Sequence, residues 1–168
     1  IGGGSISTIV ISVSGIVAME SKRVGGNAID NAIVRYLRET HSFYIGNQTA
    51  EWIKINFGQA CKLNRDKRFD IRGQDIEKSI PRTITINTGE IREAIGKPVG
   101  DILQVIMQLL ENVPPELSGD LVDRGMTLTG GSSLLAGLGK TITDNTGVRV
   151  RIAPNAKKAA VEGAGRML

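Results

Sequence analysis

The 168-residue sequence has one cysteine, one histidine, one tryptophan and only 4% aromatic residues. A single cysteine, Cys61, excludes an internal disulfide framework and a cysteine-rich zinc site, and it fits a reducing cytosol. Nor does it have a catalytic histidine beside it in the local sequence, so an inert, partly buried thiol is expected. The one histidine, His41, lies just past a predicted helix end, where a surface position near that helix's C-terminus is expected. With no cysteine or carboxylate cluster around it, it makes no metal site. No apolar run approaches the ~18 residues of a membrane-spanning helix. Residues Ile1 to Val13 alternate Ser and Thr with Ile and Val and carry no basic leader, so they read as a strand and not as a signal peptide.

Charge is not extreme either. Twenty-one Lys and Arg against 17 Asp and Glu give +4, with a pI near 9.4. Five of the basic residues fall between Lys62 and Arg72. So few aromatics argue against a nucleic-acid surface, which needs stacking platforms along its basic groove, and a solvated edge or subunit contact is expected there instead. The 40% hydrophobic and 23% charged residues match a soluble globular chain, and the length suits one domain or two small lobes sharing a core.

What is abundant is glycine: 21 residues, one in eight. Three clusters, Gly2-Gly3-Gly4, Gly25-Gly26 and Gly130-Gly131, each fall at an expected strand end or helix start. Around them, Ser5 to Val13 and Ile16 to Arg23 read as a hairpin turning at Ser14-Gly15. Asn27 then caps a helix of about 28–39 with Ile29, Ile33 and Leu37 on one face. Thr49 caps a second, 50–60, with Glu51 and Lys54 together on a face away from Ala50, Ile53 and Phe57. Short extended segments follow at 68–72, 75–80 and 83–87, broken by Gly73 and Pro81. Asn87 with Glu90 has capping-box spacing, opening a long helix that Pro98 breaks near Lys97. Pro114-Pro115 ends it and allows a short helix of 116–122. Strand 125–129, a helix of 133–143, strand 148–152 and a last helix from about Ala156, with Ala159, Ala160 and Gly163 as a small-residue packing face, give an α/β alternation.

Two constellations carry chemistry. Gly2-Gly3-Gly4-Ser5 exposes consecutive N–H groups able to surround a phosphate, with the Ser5 hydroxyl beside them. Leu128-Thr129-Gly130-Gly131-Ser132-Ser133 turns from a strand toward a helix N-terminus, which is equally consistent with a structural turn and with a ligand seat. Neither is a Walker A loop or a GxGxxG fingerprint. Gly25-Gly26 reads first as a tight strand-to-helix turn.

In order along the chain, Ile1-Gly2-Gly3-Gly4-Ser5, Arg23-Val24-Gly25-Gly26-Asn27, Thr49-Ala50-Glu51-Trp52-Ile53-Lys54, Pro114-Pro115-Glu116-Leu117, Asp123-Arg124-Gly125 and Leu128-Thr129-Gly130-Gly131 resemble the MreB family of bacterial actin homologues. The resemblance spans the whole chain but only the second half of that family's fold. It implies an α/β, ribonuclease H-like mixed sheet with flanking helices, the actin-like domain II. Residues 1–41 and 89–168 would form its core lobe, and 42–88 a small inserted α/β lobe.

By the same resemblance, Gly2, Gly3, Gly4 and Ser5 match the second phosphate loop, with Ser5 in the place of a water-orienting Thr and a magnesium-associated Asp expected before Ile1. Glu51, Trp52, Ile53 and Lys54 match the helix that touches ribose and adenine. Gly130, Gly131, Ser132 and Ser133 match the adenosine loop, where Ser132 replaces a third glycine and narrows the approach. Gly26 matches a turn near the phosphates. The ligands implied are ATP and Mg²⁺. The role implied is a filament-forming homo-oligomer on the inner face of the cytoplasmic membrane, working with membrane-bound morphogenesis and cell-wall synthesis proteins to direct rod shape. A fragment of this kind is expected to bind nucleotide weakly and turn over negligibly, because a ligand held between two lobes loses half its contacts. Another ATPase or kinase of the actin/Hsp70 superfamily, or a non-hydrolysing docking scaffold, shares the fold.

Overall fold

The structure, a computed structural model, describes residues 1–13 and 15–166. Ser14 of the expected turn, and Met167 and Leu168 of the expected last helix, lie outside the described residues.

Strands β1 (Ile6–Ser12) and β2 (Gly15–Lys22) form the expected antiparallel hairpin, with a bulge between Val10 and Ile11. Its inner face packs on α4, where Ile6 is fully buried. Its outer face carries Ile9 opposite Met19 and Ile11 opposite Ile16, all exposed. Helix α1 (Gly26–His41) begins two residues earlier than expected, because Gly25 and not Asn27 occupies the N-cap. Ile29, Ile33 and Leu37 form its buried stripe as the four-residue spacing requires. Strand β3 (Phe43–Tyr44), only two residues long, has no sequence signature and was not expected.

Helix α2 (Asn47–Phe57) starts three residues before the expected range, capped by Gly46, so Thr49 lies inside its first turn. Strands β4 (Arg68–Asp75) and β5 (Pro81–Asn87) form a hairpin that β3 extends to three strands. Of the expected strand 75–80, only Asp75 is extended, as the last residue of β4; 76–80 is the turn. The Asp75 carboxylate explains this: Oδ1 accepts the N–H groups of Glu77 and Lys78, and Oδ2 meets Arg82 at 2.9 Å. Gly73 does not break β4; a side chain there would collide with the Tyr44 carbonyl and the Phe43 ring, so glycine is what lets β3 dock.

Helix α3 (Thr88–Ala94) opens on a complete capping box. Asn87 Oδ1 accepts from Gly89 and Glu90 N–H, and Glu90 Oε2 accepts from Asn87 N–H at 2.9 Å. It stops at Ala94, four residues before Pro98, whose missing N–H and ring forbid a bond to that carbonyl. Helix α4 (Gly96–Glu111) resumes immediately and buries Val99, Ile102, Val105, Ile106 and Leu109. Helix α5 (Pro115–Arg124) has Pro115 at its first position, as fits proline's fixed φ.

Strands β6 (Met126–Leu128) and β7 (Val150–Ile152) pair in parallel through a crossover containing a short 3₁₀ turn (Gly131–Leu134) and α6 (Leu138–Thr146). The β1–β2 and β6–β7 pairs share no hydrogen-bonded edge among the described residues. Residues of β1, α4, α5 and β6 instead line an apolar cavity of about 930 Å³. The last helix, α7 (Ala159–Gly165), buries none of its residues, so the expected small-residue packing face is not used here. One apolar cluster, including Ile6, Ile33, Ile53, Ile91, Ile102 and Leu138, joins β1, α1, α2, α3, α4 and α6.

Removing the cap by Asn87→Ala should cost about 1 kcal/mol, a fall in melting temperature of about 2–4 °C by calorimetry; no change would mean packing alone sets the start of α3. Acid should also destabilise the fold. Arg92 holds Asp66, the Lys78 amide holds Asp75, and Lys22 holds Asp101, each below the ordinary value of 3.8. Their stabilisation is complete above that value and is lost as pH falls through the depressed folded values. Thermal melts should therefore show stability dropping below about pH 4, and a flat profile there would contradict these three contacts.

Candidate functional site

The chain's first turn is closed by Gly2 N–H donating to the Ser5 carbonyl at 2.9 Å. The Gly2 carbonyl then accepts two donors from distant segments: Gly26 N–H at 3.0 Å and the Ser132 hydroxyl at 2.8 Å. Asn27 N–H donates to the Gly3 carbonyl at 2.8 Å, and Ser132 N–H to the Ile1 carbonyl at 3.2 Å. All three glycine clusters thus meet at one place. Apart from the Ser132 hydroxyl, the contacts are backbone to backbone, and side chains at the glycines would prevent them. The first carbon of a side chain at Gly25 would lie 2.5 Å from the Gly2 carbonyl oxygen, and one at Gly26 would lie 2.7 Å from Ser132 Oγ. Gly130, at φ +90°, would drive a side chain into the Ile1 carbonyl.

The three clusters differ in what they leave free. At the start of α1, the Gly26 and Asn27 amides are spent on the Gly2 and Gly3 carbonyls. In the third cluster, the Gly130, Ser132 and Ser133 amides donate to Ala156, Ile1 and Gly130 carbonyls. The expected helix of 133–143 does not follow it. Ser133 Oγ donates back to the Gly130 carbonyl at 2.7 Å and closes a 3₁₀ turn. Ala136 is then drawn into a parallel bridge with Gln59, and Gly137, at φ +78°, ends the detour before α6. This loop therefore offers close approach to its backbone and not a helix N-terminus for an anion. Only the first cluster keeps a run of consecutive donors: among the described residues, the N–H groups of Gly3, Gly4 and Ser5 have no protein partner and all three residues are exposed, whereas the other two clusters leave only the single amides of Gly25 and Gly131 without one. Nothing lies within 4 Å of the space a side chain at Gly4 would take.

Helix α2 supplies the polar side. Ala50 and Ile53 are fully buried and anchor it, so Ile53 supports the helix instead of facing the cleft. Trp52 is half-exposed and packs edge-on against Phe57, which stacks on Phe69 of β4 at 3.6 Å; it belongs to the seam between α2 and the three-stranded sheet. Glu51 and Lys54 share a face as the sequence indicated, but they do not pair. Lys54 Nζ donates to Asp30 Oδ2 at 2.8 Å and to the Gly26 carbonyl at 3.3 Å. Asp30 is the residue sequence reasoning missed. Its signal was an acid spaced three and seven residues from Ile33 and Leu37, on the apolar face of α1. Burial pushes its carboxyl above the usual carboxylate value against the Lys54 hydrogen bond and charge, and the Glu51 charge adds to the rise.

His41 is not a surface group on its own helix end. It is half-buried, with Nε2 2.8 Å from Glu90 of the capping box and its ring edge against Tyr36. Cys61 Sγ lies 3.7 Å from the Gly137 carbonyl, a packing contact. No group of three His, Cys, Asp or Glu among the described residues is placed to hold a metal, and no helix among them is long and apolar enough to cross a membrane.

The model of the MreB/Mbl protein family matches residues 1–168. The chain is 38% identical over its whole length to the cell shape-determining protein MreB of Escherichia coli (strain K12), covering 48% of that protein. It is 39% identical, again over its whole length, to the cell shape-determining protein Mbl of Bacillus subtilis (strain 168), covering 50%. The chain thus spans about half the length of the curated relatives it matches. Its structure superposes on MreB5 of Spiroplasma citri, solved bound to ADP, with a TM-score of 0.94 and 33% identity, covering 99% of this chain and 51% of that one. The MamK double helical filament, at 18% identity and a TM-score of 0.80, shares the actin-like fold. On a match that runs from its first residue to its last, the chain belongs to the MreB/Mbl family.

Proposed function

We propose that the chain is the domain II part of an actin-like cytoskeletal ATPase that polymerises beneath the cytoplasmic membrane and directs cell-wall synthesis and rod shape. The observation that carries the nucleotide part is the row of exposed, partnerless amides at Gly3, Gly4 and Ser5, held in place by a carbonyl that two other glycine clusters grip. Consecutive N–H groups of this kind take phosphate oxygens. Binding of ADP and AMPPNP by MreB5, whose fold superposes on this chain, supports the same ligand class.

In this reading the amides of residues 3–5 hold the terminal phosphates, and the Ser5 hydroxyl orients the attacking water. The backbone of Gly130 and Gly131 seats the nucleoside, and Glu51 with Lys54 meets its ribose and base. Gly26 and Ser132 set the spacing between these parts. Residues 42–88 form the inserted lobe and the remainder the core lobe. Mg²⁺ does not fit this chain's residues on their own: the loop offers one hydroxyl and no carboxylate, whereas that ion is usually held through carboxylates and phosphates together. No step is assigned to it here. Filament formation and the membrane-bound morphogenesis partners rest on family membership and on the MamK filament's fold.

The test is calorimetric titration of ADP into the full-length protein and its Gly26→Ala variant. The added methyl would meet Ser132 Oγ and Lys54 Nζ and spread the loops, so affinity should fall about tenfold or more, ~1.4 kcal/mol. Unaltered affinity in a variant whose melting temperature is also unaltered would sink the assignment of Gly26. Absence of any ADP binding by the parent protein would sink the nucleotide reading itself. Sedimentation with and without ATP tests filaments separately.

A further inference from the structure

A lysine ammonium has three donors, and Lys54 has committed two of them, to Asp30 and to the Gly26 carbonyl. The space above Gly26 lies 3.1 Å from Lys54 Nζ and 3.6 Å from Cα of Gly3, so the cation stands next to the loop with the free amides. At that range an unpaired lysine would act as a counter-ion for phosphate. Asp30 removes that option. It reaches Lys54 from the buried face of α1, is 8% exposed, and leaves Oδ1 buried with no hydrogen-bond partner among the described residues. Glu51 adds a second carboxylate close enough to raise Asp30's proton affinity. One carboxylate therefore pairs with the ammonium at 2.8 Å, with a second acid nearby on the same helix as Lys54. Anchoring α2 to α1 does not need this arrangement, since an apolar pair of the same volume would hold the helices at least as well.

We propose that Asp30 is a specificity-determining residue. By neutralising Lys54 it makes the α2 side of the cleft a donor of one N–H to an uncharged nucleoside hydroxyl, and it leaves phosphate recognition to the amides of residues 3–5. The proposal rests on the nucleotide reading above, and it goes further only in assigning to Asp30 the charge balance that keeps phosphate away from the Lys54 side.

The experiment is calorimetric titration of adenosine, ADP and pyrophosphate into the full-length protein, its Asp30→Asn and Asp30→Glu variants, and the Asp30→Asn, Lys54→Met double variant. Unmasking one positive charge in Asp30→Asn should raise affinity for pyrophosphate relative to adenosine about tenfold. Asp30→Glu should restore the parent ratio, which a merely structural defect would not predict. The double variant carries no buried charge, so it remains informative even if Asp30→Asn melts out. It should keep the parent's pyrophosphate affinity and lose affinity for adenosine. A parent-like ratio in Asp30→Asn, or a tenfold loss of pyrophosphate binding in the double variant, would overturn this inference while leaving the nucleotide reading intact. A parent protein that binds neither adenosine nor ADP would overturn both.

Discussion

The Gly2 carbonyl is the junction on which the site and much of the fold depend. It accepts Gly26 N–H, which starts α1, and the Ser132 hydroxyl, which fixes the loop after β6. Two donors can converge on one carbonyl oxygen only if the three backbones come nearly into contact. That requirement explains why glycine sits at 25, 26 and 130, where a side chain would overlap a carbonyl, a hydroxyl or an ammonium. The high glycine content is therefore not diffuse flexibility. At these three positions it serves chain segments far apart in sequence that must approach more closely than a side chain permits.

Much of this was legible in the sequence, because the signals were local. The four-residue spacing of Ile29, Ile33 and Leu37, the Asn87–Glu90 pair, and the prolines at 98 and 115 each act within a turn or two of the chain, and each element formed within a few residues of its expected place. The elements misread are those decided by distant partners. Ala136 leaves its helical pattern to bridge Gln59, 77 positions away, and β3 exists only because Gly73 lets it dock on β4. Residues 76–80 looked like a strand because nothing in their neighbourhood announces that the Asp75 carboxylate, at the end of β4, will gather two amides and Arg82. For the site, the glycine clusters were visible. Asp30 was not, since an acid on an apolar stripe shows its purpose only when Lys54 arrives from another helix.

The glycine clusters looked equivalent in sequence and are not. All three could in principle present amides, yet in two of them most amides are turned to protein carbonyls and only single ones, at Gly25 and Gly131, are left. What remains is a division of labour. Residues 3–5 have donors and no partner, residues 25–27 clamp them, and residues 130–133 give a smooth backbone wall. Ser132 illustrates the point. In sequence it stands where a third glycine is usual and should intrude on a ligand, but its hydroxyl is directed to the Gly2 carbonyl and the residue is buried. The side chain that threatened to obstruct the cleft is one of the bonds holding its walls together.

Helix α2 links these walls from the other side. Lys54 ties it to Gly26, and just beyond its end Ala60 N–H donates to the Ala136 carbonyl, in the segment that follows the 130–133 loop. Its apolar side is held by Ala50 and Ile53 in the core, and its far side by the Phe57–Phe69 stack on β4. A rigid helix fixed at two points along one edge of the cleft acts as a strut, so its position sets the separation between the Gly26 turn and the Gly130 loop. Separating α2 from α1 would break the bonds of Lys54 to both Gly26 and Asp30. Because the pair is buried, breaking it leaves a charge without compensation and is strongly opposed. The ion pair that neutralises Lys54 is thus also one of the contacts that fix α2, and through the Phe57–Phe69 stack the three-stranded sheet, to α1.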